Sequence, residues 1–273
     1  MIFARRHPRV VFGGVLLTVL VLLSLLAPWI APYDPIKLNV AQRLRPPSAA
    51  HWFGTDAYGR DVLTRTLYGG QISLVIALSV AALSTTIGTV IGLVAGYFRW
   101  LDTVVMRIMD GLMAIPGILL AVAMLSLSKA SVRTVVIAIT IPEIPRVVRL
   151  VRALVLTIRE QTFIQGAVAA GTRTTPILFR HILPNAMTPI IVQATYIAAS
   201  AVLIEAYLGF LGVGTPPEVP SWGNIIAEGR NFIMLAIWSV LFPGLFLGVM
   251  VLSVNVLGDG VRDMLDPRIA KRL

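Results

Sequence analysis

Long runs of uncharged, mostly apolar residues are the feature that most limits how this chain can fold. The segments Ser73 to Phe98 and Phe232 to Leu257 contain no Asp, Glu, Lys or Arg. A helix needs about 20 apolar residues to cross the hydrocarbon core of a bilayer. Only 13% of the 273 residues are charged, whereas roughly a quarter are charged in a typical soluble domain. We therefore predict an all-α polytopic membrane protein.

Six segments are predicted to cross the membrane as helices, although two of them are irregular. Pro116 lies inside the third segment, and the run from Pro142 to Arg146 interrupts the fourth. A cleaved signal peptide is the alternative for the first segment, but no small-x-small cleavage site follows it and further apolar segments do. The predicted spans are Val10–Ile30, Ser73–Phe98, Gly111–Ser128, Thr134–Thr157, Met187–Leu211 and Phe232–Leu257.

A polar interval rich in Pro and Gly, residues 31–70, separates the first two spans. Just after Asp61, apolar residues recur at helical spacing, which predicts a short amphipathic helix on the membrane surface. Asp34, Asp56 and Asp61 are conceivable metal ligands, but their spacing matches no ligand loop. We interpret these three aspartates as turn and capping residues.

The distribution of Lys and Arg predicts the orientation in the membrane. The 23 basic and 13 acidic residues give a net charge of +10, and the basic residues are concentrated at both termini and between Arg146 and Arg180. Cytoplasmic loops carry such an excess. We therefore expect both termini and residues 158–186 in the cytoplasm, with residues 31–70 and 215–231 on the opposite side. The basic residues form no stripe of the kind that binds nucleic acid.

The sequence offers little for catalysis. It has no cysteine, which excludes disulfides, thiolate metal sites and a cysteine nucleophile. The three histidines, His7, His51 and His181, are far apart, and the predicted topology places His51 across the membrane from the other two. A membrane-embedded hydrolase, the enzyme alternative, needs a nucleophile beside an intramembrane base. No such set assembles, so we expect no catalytic, cofactor-binding or metal-binding residues.

Three glycines and one glutamate inside the spans are candidates for packing and interior polar roles. Gly88, Gly92 and Gly96 recur every four residues, which places them on nearly one face of a helix where another helix can approach closely. Chance glycines in an apolar helix are the alternative. Glu205 lies near the middle of the fifth span, where a carboxylate must face the bundle interior, a pore or a partner helix. Structural hydrogen bonding and contact with a substrate path both fit it.

Two further acidic residues are candidate interior polar positions. Glu143, between Pro142 and Pro145, is predicted to mark a bent stretch beside a pore. Asp110 is expected to form an interfacial ion pair with Arg107, one helical turn away.

Residues 158–186, which we name the cytoplasmic bracket, are too apolar for a disordered linker and too few for a domain. Apolar residues at helical spacing predict a short helix over Thr162–Ala170. Gly171 is predicted to end this helix in a left-handed conformation. Phe163 and Ile164 are then predicted to offer an apolar surface to a partner.

A second short helix is predicted in the bracket after Gly171. Thr175 is expected to be its N-cap and Pro176 its first residue, because both residue types favour these positions. The sequence Leu183-Pro184-Asn185 is expected to break it.

Four separate motifs give nearly the whole chain a specific resemblance to a known family. The sequence Gly166-Ala167-Val168-Ala169-Ala170-Gly171, followed after nine residues by His181-Ile182-Leu183-Pro184-Asn185, is similar to the cytoplasmic EAA loop of permease subunits in bacterial ABC importers, with Gln165 at the acidic position. Three further stretches resemble the dipeptide, oligopeptide and nickel branch of these permeases, and more closely its C-type subunit. These are Gly54-Thr55-Asp56 with Gly59-Arg60-Asp61, Phe210-Leu211-Gly212-Val213-Gly214 with Pro220-Ser221-Trp222-Gly223, and Gly258-Asp259-Gly260-Val261-Arg262-Asp263 with Leu265-Asp266-Pro267-Arg268.

The resemblance implies a MetI-like fold of a type I ABC importer permease, with six spans, in the bacterial inner membrane. Residues 1–70 would form an N-terminal span and outer loop, residues 71–260 a five-span core that includes the bracket, and residues 261–273 a cytoplasmic tail. The bracket would hold a coupling helix that seats in a cleft of an ATP-binding subunit. The residues to which this role carries over are Phe163, Ile164, Gln165, Gly166, Ala167, Gly171, His181, Leu183 and Pro184.

The resemblance also implies partners and cargo. The partners are a homologous permease, two ATP-binding subunits, an extracytoplasmic substrate-binding protein and membrane lipid. No G-x-x-x-x-G-K-[ST] sequence occurs here, so ATP and Mg²⁺ are expected on the partner subunits and the chain is not an enzyme by itself. The expected cargo is a di- or oligopeptide, with nickel or another small solute as the alternative. A secondary transporter or an ion channel is disfavoured, because the sequence shows neither an internal repeat nor a filter-like loop.

Overall fold

The structure, a computed structural model, describes residues 7–265, and these fold as an all-α protein. The motif residues Asp266-Pro267-Arg268 lie outside the described residues, as do the first six residues of the chain. Between residues 7 and 265, the helices of at least eight residues are α1 (Pro8–Leu25), α2 (Val62–Tyr97), α3 (Arg99–Ala114), α4 (Gly117–Ser126), α5 (Val132–Arg159), α6 (Thr162–Ala169), α7 (Leu183–Phe210), α8 (Trp222–Gly229) and α9 (Trp238–Leu265).

Four stretches of the described chain are long and apolar enough to cross a membrane. They are α1, α2, the stretch Thr174–Phe210 that ends with α7, and α9. The bent pair of α3 and α4 makes a fifth if the two helices cross together. The prediction of six spans is therefore not confirmed. Helix α5, which corresponds to the predicted fourth span, is not among these stretches because Glu143, Arg146 and Arg149 interrupt its apolar sequence.

The third predicted span is not one continuous helix. Helix α3 ends at Ala114, α4 begins at Gly117, and the two are bent by 81°. Pro116 precedes α4 as its N-cap with a ψ of 126°, outside the helical range. Proline has no N–H to donate, and its ring collides with the preceding helical turn. The predicted third span is therefore broken at Pro116, the residue that made this segment irregular in the sequence.

Helix α2 is longer than predicted because it includes the segment expected to be a separate surface helix. It has 36 residues, which corresponds to a length of about 54 Å, well beyond the thickness of the hydrocarbon core. Asp61 caps its start, since Oδ2 accepts a hydrogen bond of 2.7 Å from the Thr64 N–H. The helix continues through Gly70, the last residue of the predicted polar interval. A Cβ at this position would collide with the Ser24 Oγ, so the glycine permits close packing against the end of α1.

Helix α2 lies at the centre of the bundle, where it packs against α5, α7 and α1, while α9 packs against α1 and α7. These contacts bury branched apolar side chains that interdigitate between the helices, as expected for a close-packed interior. Fully buried members of this core include Ile76, Val80, Val147, Val151, Ile182 and Val202.

The glycine face of α2 lies against α5 of the same chain. A Cβ built on Gly92 would lie 2.7 Å from the Val151 Cβ and 2.9 Å from the Val148 carbonyl oxygen. One turn to either side, a Cβ on Gly88 would meet Val147 and a Cβ on Gly96 would meet Val155. Residue numbers increase in the same direction along both helices, so α2 and α5 run parallel. Their backbones approach closely along the whole glycine face.

We expect Gly92→Leu to destabilise the isolated chain by about 2 kcal/mol or more, because the added side chain has no room against Val151. Gly248 on α9 is the matched control, since a Cβ there meets nothing within 4 Å. Thermal unfolding of the detergent-solubilised chain measures both variants. A Gly248→Leu variant that unfolds at the same reduced temperature as Gly92→Leu would contradict this account of the α2–α5 contact.

Candidate functional site

The first half of the cytoplasmic bracket is a short helix that ends as predicted. Helix α6 covers Thr162–Ala169, and Gly171 adopts the left-handed conformation with a φ of 77°. The N–H of Gly171 donates to the Val168 carbonyl at 2.9 Å, and the N–H of Thr172 donates to the Ala167 carbonyl at 3.0 Å. These bonds satisfy carbonyl groups that a helix end otherwise leaves unpaired. Gly171 therefore directs the chain away from α6.

Phe163 and Ile164 occupy different environments. Ile164 is 2% exposed and packs in the core with Ile177 and Ile182. Phe163 is 44% exposed. Successive residues of a helix point about 100° apart, so a helix lying on a surface cannot present both. The prediction that Ile164 belongs to an exposed apolar surface is therefore wrong, because this side chain anchors α6 to the helix bundle.

The other residues of α6 leave its outer face open. Gln165 is exposed, and its Nε2 donates to the Glu160 carbonyl at 3.2 Å. Val168 is also exposed, whereas Ala167 is half-buried. A Cβ on Gly166 would meet nothing within 4 Å. Packing within this chain therefore does not require a glycine at position 166.

The second half of the bracket does not stop where the sequence predicts. A helix begins at Thr174, one residue before the expected N-cap Thr175, and residues Ile177–Ile182 form a π-helical turn. Helix α7 then starts at Leu183 and continues to the end of the predicted fifth span. The expected break at Leu183-Pro184-Asn185 is wrong.

The π-helical turn explains how the chain passes Pro184 without a break. A π turn shifts the hydrogen-bond partners by one residue, so the missing N–H of Pro184, the second residue of α7, does not end the helix. The Asn185 side-chain amide also donates to the His181 carbonyl at 2.6 Å, which satisfies an acceptor in this turn. His181 itself is half-buried at the junction.

At the opposite end of the bundle, a cluster of four charged residues joins the loop before α2 to the first turn of α2 and to α8. Asp56 Oδ2 lies 2.7 Å from Arg60 Nε and 2.8 Å from Arg65 Nη1. Arg65 Nη1 also lies 2.6 Å from Glu228 Oε2, which Arg60 contacts as well. Arg65 is 1% exposed. The motif analysis did not single out Arg65 or Glu228, because 163 residues separate them and no local spacing relates them.

The three aspartates of the outer loop are turn and capping residues, as predicted. Asp34 accepts a hydrogen bond of 2.8 Å from the Ile36 N–H, and Asp56 accepts one of 2.8 Å from the Tyr58 N–H. Asp61 caps α2. Within residues 7–265, no group of three or more His, Cys, Asp or Glu side chains could hold a metal ion.

Glu205 of α7 is fully buried and lies between three helices. One carboxylate oxygen accepts a hydrogen bond of 2.7 Å from Ser221, and the other accepts one of 3.4 Å from Ser73 of α2. Ser221 also caps α8, since its hydroxyl accepts a hydrogen bond from the Asn224 N–H. These bonds tie α2, α7 and the start of α8 together.

Asp110 has a different partner from the one predicted. Its Oδ1 lies 2.5 Å from Arg149 Nη2 of α5. The expected pair with Arg107 is therefore wrong. The one-turn spacing permits that pair, but the packing of α3 against α5 brings an arginine from the neighbouring helix to the carboxylate instead.

Two further ion pairs lie along α5. Near its C-terminal end, Arg152 makes two hydrogen bonds to Asp102 of α3, one of them 2.6 Å long. Nearer the middle, Arg146 Nη1 lies 3.3 Å from both carboxylate oxygens of Glu143. Helix α5 continues through Pro142 and Pro145 without a break, and a bend of this helix at Glu143 stays a prediction. Glu143 lies beside the break between α3 and α4, because both line one cavity.

Comparison with known proteins identifies the relatives of this chain. Residues 88–271 match the family described as "Binding-protein-dependent transport system inner membrane component". Residues 4–47 match "N-terminal TM domain of oligopeptide transport permease C". A probable peptide ABC transporter permease protein of Sinorhizobium fredii is 49% identical over 269 residues, which cover 98% of this chain and 92% of that protein. The dipeptide transport system permease protein DppC of Alkalihalophilus pseudofirmus is 42% identical over 266 residues, with coverage of 97% and 88%.

The fold agrees with a solved permease. A chain of the MetNI methionine ABC transporter, in an inward-facing conformation, superposes with a TM-score of 0.63 at 19% identity, covering 74% of this chain and 96% of that chain. The predicted all-α, MetI-like fold is thus confirmed. The family match identifies the chain as the non-catalytic, multi-pass transmembrane subunit of an ABC transporter. The chain belongs to the family of binding-protein-dependent transport system inner membrane components, and within it to the OppC/DppC type of permease.

Proposed function

We propose that this chain is the permease subunit of an ATP-driven importer of di- or oligopeptides and forms half of its translocation pore in the bacterial inner membrane. One observation carries this proposal. Permease proteins of peptide, dipeptide and di/tripeptide transport systems are 41–49% identical to this chain over 96–98% of its length. The match of residues 4–47 to oligopeptide permease C supports the same cargo.

The cytoplasmic bracket is the proposed contact with the ATP-binding subunits. Its first helix, α6, is held by one buried side chain, Ile164, and leaves Phe163 and Val168 exposed. The open space at Gly166 leaves room for a partner to approach the α6 backbone closely. A short helix with an exposed aromatic anchor is a suitable ligand for a cleft. We assign the coupling role to the nine bracket residues that the resemblance indicates. Among them, Ile164 anchors α6 within the permease.

Partners complete the transporter in this proposal. The family name requires a separate binding protein, and the sequence has no phosphate-binding loop, so two separate subunits would bind ATP and Mg²⁺. A homologous permease would form the other half of the pore. In this proposal α5 is a further crossing, so the chain would span the membrane six times. Both termini would then lie in the cytoplasm, and the excess of basic residues in the bracket supports this orientation. The division into residues 1–70, 71–260 and 261–273 belongs to the same proposal.

Reconstitution tests the function. We expect proteoliposomes that contain this chain, its permease partner and the ATP-binding subunits to take up a labelled tripeptide when ATP and the loaded binding protein are supplied. Omission of any one component should reduce uptake to the background level. Omission of the ATP-binding subunits should do so because this chain has no means of hydrolysing ATP. Uptake by this chain alone, driven by an ion gradient, would support a secondary transporter and contradict the proposal.

A further inference from the structure

Four charged residues form one ridge along α5. Glu143, Arg146, Arg149 and Arg152 follow each other at intervals of three residues, so neighbouring members lie about one turn apart in a row that winds around the helix. Arg149 and Arg152 are held by carboxylates of α3, whereas Arg146 pairs within α5. We name these four residues the charged ridge.

The exposure of this ridge is informative in a membrane protein. The Arg146 and Arg149 side chains are 56% and 45% exposed. Charged side chains within the bilayer face a bundle interior or a water-filled cavity, since contact with lipid is too unfavourable. With α5 as a membrane crossing, as proposed above, Arg146 and Arg149 therefore face an aqueous path or a partner subunit.

A cavity opens beside the ridge where α3 and α4 separate. Its volume is about 480 Å³, and its lining includes Pro116, Gly117, Glu143, Arg146 and Ser200. This volume falls in the range of sites that hold small molecules, roughly 300–1,000 Å³. The 81° bend between α3 and α4 thus opens a space large enough for a short peptide next to a charged pair.

Arg146 is the residue of the charged ridge that still has N–H donors without a partner in the described chain. Its Nη1 lies 3.3 Å from the oxygens of Glu143, longer than the ~2.7–2.9 Å of a tight charge-assisted hydrogen bond. Its Nε and Nη2 have no partner within residues 7–265. Arg149, in contrast, is held at 2.5 Å and Arg152 through two nitrogens.

We propose that Glu143 and Arg146 of the charged ridge line this chain's side of the translocation path and that Arg146 binds the terminal carboxylate of the peptide during its passage. The proposal rests on the peptide-import function above. A guanidinium binds a carboxylate through two parallel hydrogen bonds. Glu143, buried beside it with a side chain 4% exposed, is the counter-ion that neutralises Arg146 when no peptide is present. The peptide carboxylate binds the unpartnered Nε and Nη2 of Arg146, while Nη1 keeps its contact with Glu143, so the buried Glu143 carboxylate keeps its counter-charge.

The test compares two tripeptides that differ only at the C-terminus, one with a free carboxylate and one amidated. Uptake is measured in the reconstituted complex, with the binding protein saturated by each peptide as checked by calorimetry. In the wild-type complex, we expect the free peptide to enter about tenfold faster than the amidated one, the scale of one lost charge-assisted hydrogen bond. In Arg146→Gln, the free peptide should slow to the rate of the amidated peptide, whose own rate should stay unchanged. Arg146→Lys should restore part of the difference between the two uptake rates, because lysine keeps the positive charge but not the two parallel donors of the guanidinium group.

Arg133 supplies the matched control, since it is an exposed arginine at the other end of the same helix. Arg133→Gln should keep the wild-type ratio of the two rates. If Arg146→Gln slows both peptides equally, Arg146 binds a carboxylate of the protein or a partner, and the inference is overturned. Unchanged rates in Arg146→Gln overturn it as well. These outcomes leave the import function intact, whereas a wild-type complex that imports neither peptide overturns both proposals.

Discussion

Replacing Phe163 by Asp is expected to abolish coupled transport while leaving the permease folded and inserted. Phe163 is 44% exposed on α6, and Ile164 holds that helix from the other side. A charge at the aromatic position should therefore not disturb packing within the chain. Loss of a buried aromatic anchor weakens a protein interface by about 2 kcal/mol or more, which corresponds to about thirtyfold in affinity. A pull-down of the ATP-binding subunit from matched membranes measures recruitment, and ATP-driven uptake measures transport.

Replacement of Gly171 tests the proposed contact between α6 and the ATP-binding subunit through the backbone conformation. Gly171 has a φ of 77°, and a Cβ there meets nothing within 4 Å. Gly171→Val should therefore act only through backbone strain, about 1–2 kcal/mol, which misdirects α6. Gly171→Ala should have a milder effect.

Trp52 provides the control for Phe163, since it is an exposed aromatic residue in the loop at the opposite end of the bundle. Trp52→Asp should leave recruitment of the ATP-binding subunit unchanged. Recruitment and coupled ATP hydrolysis that persist in Phe163→Asp and Gly171→Val would show that the bracket is an ordinary connection between helices.

Replacing Arg65 by Met should be among the most destabilising single substitutions in the chain. Arg65 is buried and is shared between Asp56 and Glu228, so its removal leaves two carboxylates facing Arg60 alone. Removal of one member of a buried ion pair typically reduces stability by about 3–5 kcal/mol. The loop before α2 should also be held less tightly to α8, because Arg60 alone then pairs with Glu228. Thermal unfolding of the solubilised chain and the rate of proteolysis in the outer loop measure the two effects.

Arg45 is the control for Arg65, because it is an exposed arginine in the loop that precedes α2. Arg45→Met should change the free energy of unfolding by no more than about 0.5 kcal/mol. The double variant Arg65→Met with Glu228→Met should be more stable than Arg65→Met alone, since it removes an unpaired carboxylate. Equal stability of the two arginine variants would mean that the cluster contributes little to the fold.

The geometry connects the bracket directly to the charged ridge. Only Glu160 and Gln161 separate α5 from α6, and Ile164 fixes α6 to the core of the same chain. A displacement of α6 by an ATP-binding subunit is therefore transmitted to α5, which carries the ridge on one side and the valines that meet the α2 glycines on another. In the proposed transporter, α5 and α2 would move as one closely packed pair.

The sequence by itself determined the features that depend on neighbouring residues. Apolar runs identify the helices of the membrane region, and Gly171 ends α6 because only the local backbone conformation matters there. Asp61 caps α2 for the same reason. The motifs of the bracket also identified the permease family without any structure. All of these signals act over a few residues, which is the range over which sequence patterns have a fixed geometric meaning.

The tertiary structure alone decided which distant groups meet. Asp110 pairs with Arg149 and not with Arg107, because the packing of α3 on α5 sets the partner. Ile164 is buried and its neighbour exposed according to how α6 lies on the core, a rotation that two adjacent apolar residues cannot specify. Arg65 and Glu228 meet only once α2 and α8 have packed. Ion pairs and burial depend on the relative placement of whole helices, and this placement follows from the sum of many contacts across the bundle rather than from any local spacing.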